Sequence, residues 1–102
     1  MKILIIIVNA GHADEVTEIV RDSGIAGATI LNARGEGACH ESFMGITLDT
    51  EKEMIFCVTT AENAETAILN IKEKAGINTP CHAVCFTMPV ERVVGLRTYE
   101  EK

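Results

Sequence analysis

A chain of 102 residues has material for one hydrophobic core, and the length predicts a single domain over residues 1–102. Hydrophobic residues make up 47% of the sequence, a content that excludes an intrinsically disordered chain. The formal net charge of −6 argues against a nucleic-acid partner, because non-specific binding to nucleic acid needs a basic surface that displaces counterions from phosphates.

The first predicted element is a strand over residues 3–8, a continuous run of branched apolar residues. Such a run is typical of a central strand that is buried on both faces. The run is too short for the apolar core of a signal peptide or for a membrane span, and no later segment has a longer apolar run. We therefore expect a cytoplasmic protein without direct membrane insertion. In that reducing compartment the four cysteines are expected to be free thiols.

A helix is predicted over residues 12–23, and Gly24 is suited to end it. Three apolar residues share one face of this helix: Val16, Ile19 and Val20. His12, at the start of the helix, is interpreted as a solvated residue.

Residues 28–33 are predicted to form a second strand, and the glycine-punctuated segment 34–37 follows it. Residues 46–48 are expected to extend a hairpin arm. A third strand is predicted over residues 53–59 because they have high β-propensity.

Thr59 and Glu62 have the spacing of a capping box, which predicts that a second helix begins there and ends at Gly76. One stripe of this helix is apolar: Ala64, Ala67, Ile68, Ile71 and Ala75. A fourth strand is predicted over residues 83–88. Pro89 removes a ladder donor, so residues 90–96 are expected to continue the strand past a bulge or to form a short edge strand.

The element order β-α-β-β-α-β is that of the ferredoxin-like fold, an α+β sandwich with an antiparallel sheet. Right-handed crossovers place both helices on one face of the sheet. Because the strand over residues 3–8 is apolar on both sides, the other face is expected to be buried against further copies of the chain. A closed trimer does this without leaving exposed edges, and periodicity alone leaves a dimer open.

Two segments at characteristic spacing resemble the PII signal-transduction family and its divergent PII-like relatives. They are residues 24–30 leading into 34–37, with the sequences GIAGATI and RGEG, and residues 89–98, with the sequence PVERVVGLRT. The resemblance implies a trimeric PII-like regulatory protein, a divergent member of the nitrogen regulatory protein superfamily, which is not an enzyme and has an adenine nucleotide in the cleft between neighbouring subunits. It also implies a short loop, about residues 37–50, that engages a regulated target protein, which in several PII-like relatives is a membrane transporter.

Carried over position by position, the resemblance implies a set of nucleotide-binding residues: Thr29, Gly35, Gly37, Thr79, Pro80, Val84 and Arg97. Thr29 matches a threonine near the adenine, and Arg97 matches a basic residue that reaches the phosphates across the interface. The partner loop contributes Glu41, Ser42, Phe43 and Met44.

The sequence departs from the family pattern at the phosphate end of this site. Val84 stands where the family carries a lysine, Gly95 replaces an arginine, and Ala38 replaces another basic residue. These replacements remove charge-assisted hydrogen bonds to the phosphates, so nucleotides with fewer phosphate charges, AMP or ADP, are favoured over ATP. Cys39 replaces the glutamine that helps hold magnesium and 2-oxoglutarate, which argues against that co-ligand.

Cys81 and Cys85 lack the usual spacing of zinc-ribbon ligands, so a bound metal is not expected, but the cysteines and histidines leave two alternatives open. A metal- or thiol-responsive trimer would use Cys39, His40, Cys81 and His82, because thiolates and imidazoles are ligands of soft metals. A small enzyme would use a nucleophilic cysteine assisted by His40 or His82, but adjacent strand residues point to opposite faces and no third orienting group is evident. Cys57, in the middle of a strand, is interpreted as a core residue.

Overall fold

The computed structural model describes residues 1–35, 41–43, 46–48 and 50–96 of the chain. The elements within these residues are β1 (Lys2–Asn9), α1 (Ala13–Asp22), β2 (Thr29–Gly35), β3 (Glu41–Phe43), β4 (Ile46–Leu48), β5 (Thr50–Thr59), α2 (Ala61–Ala75) and β6 (Val84–Pro89). This order confirms the ferredoxin-like α+β prediction, with the β3–β4 hairpin inserted between β2 and β5.

The main sheet has the strand order β2-β5-β1-β6, and every neighbouring pair is antiparallel. β1 is therefore a central strand, as its apolar run predicts. In the register of the sheet Ile5 of β1 lies opposite Phe56 of β5 and Phe86 of β6, which places these three side chains on the same face. β3 pairs with β4 in a separate two-stranded sheet, so the predicted hairpin arm is confirmed.

The helices cover one face of the sheet and form the core with it. Leu4, Ile6 and Val8 of β1 are fully buried and pack in one cluster with residues of β5 and of both helices. Burying an aliphatic side chain of this size stabilises the fold by about 1.5–3 kcal/mol. The stripe predicted for α2 lies in this layer, with Ile68 partly buried at its margin.

The opposite face of the sheet, which we call the open sheet face, is also apolar. By register and alternation its members are Ile3, Ile5, Ile7, Leu31, Met54, Phe56, Val58, Val84, Phe86 and Met88. Phe86 is 42% exposed and Val84 is 53% exposed. A contiguous apolar face of this kind marks an interaction surface.

Two predictions about element ends are wrong. The residue that caps α2 is Thr60, whose hydroxyl accepts a hydrogen bond from the Asn63 amide at 3.1 Å, while Thr59 is still paired with Lys2 in the sheet. Residues 90–96 form no strand: β6 ends at Pro89, and the Val90 amide donates to the Met1 carbonyl at 3.1 Å as the chain leaves the sheet. Among the described residues no helix is long and apolar enough to cross a bilayer.

Candidate functional site

A cavity of about 590 Å³ lies at one end of the open sheet face. It is lined by Ile3, Ala26, Gly27, Ala28, Thr29, Phe56, Val58, Gly95 and Leu96. None of these described lining residues is charged. The Thr29 hydroxyl is thus a polar group beside an apolar surface, an arrangement that suits a flat heteroaromatic ring with a few polar atoms.

A set of contacting residues, which we call the polar rim, lies at the opposite end of the sheet. Gly35 ends β2 against Lys52, and a Cβ added at Gly35 would lie 3.0 Å from Lys52 Cε. The Lys52 ammonium donates to the Asn9 side-chain oxygen at 2.6 Å, and the Asn9 amide nitrogen donates to the Pro80 carbonyl at 2.9 Å. These contacts join Gly35, Lys52, Asn9 and Pro80 into one rim.

The sequence reasoning missed Lys52 and Asn9. In the register of the sheet both lie on the same side as Met54 and Ile7, that is, on the side of the open sheet face. Lys52 is the polar residue in a row of alternate β5 side chains that is otherwise apolar: Met54, Phe56 and Val58. This break in the apolar row is the sequence signal that would have identified it.

Backbone hydrogen bonds hold the segment over residues 79–82 in place. The Thr79 amide and hydroxyl both donate to the Gly76 carbonyl, at 3.0 and 2.8 Å. The His82 amide donates to the Thr79 carbonyl at 3.1 Å, and the Asn9 amide donates to the Cys81 carbonyl at 2.9 Å. His82 adopts a positive φ of 46°, an uncommon conformation for a residue with a side chain. This segment is therefore a tight turn fixed against the ends of β1 and α2.

The predicted nucleotide-binding residues fall into two groups at opposite ends of the sheet. Thr29 lies beside Gly95 and Leu96, the residues that directly precede Arg97. Gly35 lies at the other end, on the rim that includes Pro80. Thr29 and Gly35 are six positions apart on one strand, which corresponds to roughly 20 Å.

Val84 begins β6 on the open sheet face and offers no donor from its side chain. Gly37 and Arg97 lie outside the described residues, and so does Met44 of the partner loop. The other partner-loop residues, Glu41, Ser42 and Phe43, form β3 of the arm.

Cys81 lies in a cluster with two residues from the start of α1. It is 3% exposed, and its thiol donates to Glu15 Oε2 at 3.3 Å. His12 Nδ1 lies 3.1 Å from Glu15 Oε1, and 28% of the His12 side chain is exposed. His12 is therefore a partly solvated residue that is also paired with Glu15. The metal candidates Cys39 and His40 lie outside the described residues, and His82 is exposed.

Burial disfavours the thiolate form of Cys81, Cys85 and Cys57. Burial, with the hydrogen bond to Glu15, raises the pKa of Cys81, and the same hydrogen bond together with that from His12 lowers the pKa of Glu15. Burial also raises the pKa of Cys85, and it raises the pKa of Cys57 to about 11. A nucleophilic thiolate is not favoured at any of these three positions, and the burial of Cys57 at 2% exposure confirms it as a core residue.

The comparison with known protein families agrees with the fold. The family model for nitrogen regulatory protein P-II matches residues 1–100. No individually curated protein matches the chain significantly. Because the match covers nearly the whole chain and the β-α-β-β-α-β order is present, the chain belongs to the P-II family and is a PII-like regulatory signalling protein.

Proposed function

We propose that the protein is a cytoplasmic trimeric sensor that binds an adenine nucleotide between subunits and regulates a target protein through the arm over residues 37–50. The observation that carries the proposal is the separation of the two groups of site residues. A nucleotide that contacts both Thr29 and Gly35 of one chain would have to bridge roughly 20 Å along a strand. Two neighbouring chains can instead bring the Thr29 end of one sheet against the Gly35 end of the other.

The open sheet face supplies a reason for such an assembly. Its apolar side chains, with Phe86 at 42% exposure, favour burial against copies of the same surface. A closed ring of three subunits buries this face in every copy without leaving one copy uncovered. The cavity beside Thr29 lies at the margin of this face, where a neighbouring subunit would complete it.

The two ends of the sheet suit different parts of a nucleotide. The uncharged cavity beside Thr29 and Phe56 would hold the adenine. The rim with Gly35 and Lys52 would face the phosphates, since glycine lets backbone amides approach an anion and Lys52 supplies a positive charge. Arg97 would add a second cation from the chain that holds the adenine.

The route from ligand to target is short. β2 runs from Thr29 to Gly35, and Gly35 pairs with Thr50 at the base of the arm. A ligand that contacts Gly35 therefore contacts the base of the arm directly. If it prefers one arm conformation, it shifts the population toward that conformation and changes what the target binds. The resemblance to PII-like proteins favours a membrane transporter as the target.

The proposal predicts that AMP or ADP binds at least as well as ATP, because Val84, Gly95 and Ala38 lack the basic groups that a triphosphate needs. Replacing Arg97 by Ala should weaken nucleotide binding by about 10- to 150-fold, the equivalent of one lost charge-assisted contact of about 1.5–3 kcal/mol. Isothermal titration calorimetry with AMP, ADP and ATP at one magnesium concentration measures both effects.

The matched control is Arg92→Ala, which removes an exposed basic residue five positions earlier in the chain. This variant should bind nucleotide as the original protein does. A clear preference for ATP, or an affinity that is unchanged in Arg97→Ala, would contradict the proposed site.

A further inference from the structure

We infer that His12, Glu15 and Cys81 form a binding site for a thiophilic divalent cation of the Zn²⁺ type. The site is separate from the residues proposed for the nucleotide. Its ligands come from two parts of the chain. His12 and Glu15 lie at the start of α1, and Cys81 lies in the turn over residues 79–82, 66 positions after Glu15.

The three ligand atoms lie close enough to one another to converge on one tetrahedral ion. Cys81 Sγ lies 3.3 Å from Glu15 Oε2, His12 Nδ1 lies 3.1 Å from Glu15 Oε1, and one ligand atom from each residue can be chosen so that all lie within 4.8 Å of one another. Ligands held about 2.0–2.3 Å from zinc at tetrahedral angles are about 3.3–3.8 Å apart. The two short contacts reach different oxygens of Glu15, so a bound ion would draw the three ligand atoms together from their spacing of up to 4.8 Å.

The donor set selects a class of metal. A thiolate and an imidazole favour borderline and soft cations over Mg²⁺ and Ca²⁺, which prefer oxygen ligands. Three protein ligands leave the fourth tetrahedral position open to water or to another ligand. On binding, the Cys81 thiol loses its proton to solvent as the metal–sulfur bond forms, and the neutral His12 ring carries its proton on Nε2 while Nδ1 coordinates the ion.

The backbone on both sides of the cluster is already fixed. The Asn9 amide donates to the Cys81 carbonyl, and the Asn9 side chain holds the Pro80 carbonyl. On the α1 side, Glu53 Oε1 accepts a hydrogen bond from the Gly11 amide at 2.7 Å, directly before His12. Ligands held on fixed backbone need little reorganisation to bind an ion, which favours affinity.

A bound ion would connect α1 to the turn that carries Thr79 and Pro80. Those two residues belong to the segment proposed for the phosphate end of the nucleotide site, so the metal would rigidify that segment. The metal site itself does not depend on the nucleotide proposal, because its ligands are not nucleotide residues. If the protein proved not to bind a nucleotide, the proposed metal site would be unaffected.

The test is a Zn²⁺ titration of the metal-free full-length protein against a chromophoric chelator, with a phosphine reductant that keeps the thiols reduced. We expect one Zn²⁺ per chain. Cys81→Ser and His12→Ala should each weaken the affinity by more than about 100-fold, beyond the about 10- to 100-fold typical of residues that only orient a ligand. Co²⁺ in place of Zn²⁺ should give the sulfur-to-cobalt charge-transfer band, and Cys81→Ser should abolish it.

Cys85→Ser and His82→Ala are the matched controls, since they remove one thiol and one imidazole that lie outside the cluster, and both should keep full affinity. Cys39→Ser and His40→Ala test the set expected from the sequence. Equal thermal unfolding of metal-free Cys81→Ser and of the original protein would show that the serine variant folds. Absence of stoichiometric Zn²⁺, or a loss of binding in the Cys39 or His40 variants but not in Cys81→Ser, would overturn the proposed site.

Discussion

Replacing Phe86 by Asp is expected to convert the proposed trimer into monomers. Phe86 lies in the row of the open sheet face that contains Ile5 and Phe56, and it is 42% exposed in the single chain. Burial of an aromatic side chain of this size contributes about 1.5–3 kcal/mol, and the substitution loses it in every copy. A buried unpaired carboxylate costs several kcal/mol more.

Light scattering coupled to size-exclusion chromatography at micromolar concentration measures the effect. The original protein should have three times the 11.0 kDa mass of one chain, and Phe86→Asp should have the mass of one chain. Leu69→Asp is the control, because Leu69 is a large apolar residue that is 59% exposed on α2, away from the open sheet face. An original protein that is monomeric, or a Phe86→Asp variant that stays trimeric, would contradict the assembly proposed here.

Replacing Gly76 by Ala should cause a large loss of stability, of about 2 kcal/mol or more. A Cβ at this position would lie 2.5 Å from the Lys72 carbonyl oxygen, a backbone atom that cannot move aside as a side chain would. The cause is this clash and not the backbone conformation, since φ at Gly76 is −75°. The Gly76 carbonyl also accepts both hydrogen bonds of Thr79, so the turn over residues 79–82 should shift as well.

Urea unfolding at a fixed protein concentration measures the stability, because the stability of an oligomer depends on concentration. Gly27→Ala is the control for the clash alone, since a Cβ there would meet no atom of its own chain within 4 Å; because Gly27 lines the proposed nucleotide cavity, this variant is compared by its unfolding midpoint and not by nucleotide binding. If the proposed phosphate end is correct, Gly76→Ala should also weaken nucleotide binding at temperatures where it is folded. A midpoint equal to that of the original protein would show that the helix end accommodates the methyl group.

The fold was predictable because its signals are local. The apolar run over residues 3–8 indicates a central strand, and the stripe of α2 specifies the buried side of that helix; the structure confirms both. The capping residue was misplaced by one position because Thr59 and Thr60 are adjacent, and only the pairing of Thr59 with Lys2 decides between them. The end of β6 at Pro89 likewise depends on the N-terminal residue Met1, a partner that is distant in sequence.

The candidate sites were less predictable because they depend on distant residues. The proximity of Cys81 to Glu15 follows from the packing of the 79–82 turn against α1, and no periodicity within either segment indicates it. Asn9 connects Lys52 to Pro80, two residues that lie 28 positions apart in sequence and far from Asn9 itself. The separation of Thr29 from Gly35 became informative only when the register showed both on one straight strand.

The central claim is a nucleotide site shared between subunits. It is tested most directly by mixing equal amounts of two variants, each of which is expected to have lost nucleotide binding. The first carries Thr29→Ala and Arg97→Ala and lacks the adenine end, and the second carries Gly35→Asp, which adds a carboxylate at the phosphate end. Neither variant should bind nucleotide alone. In randomly mixed trimers about one-quarter of the interfaces pair an intact adenine end with an intact phosphate end from the neighbour.

Calorimetry with ADP on the refolded mixture should therefore recover about one-quarter of the sites of the original protein at its original affinity. Light scattering must first show that both variants and their mixture are trimers. Recovery of that fraction is the result that a shared site predicts. A mixture that forms trimers but binds no more ADP than either variant alone would contradict the shared site.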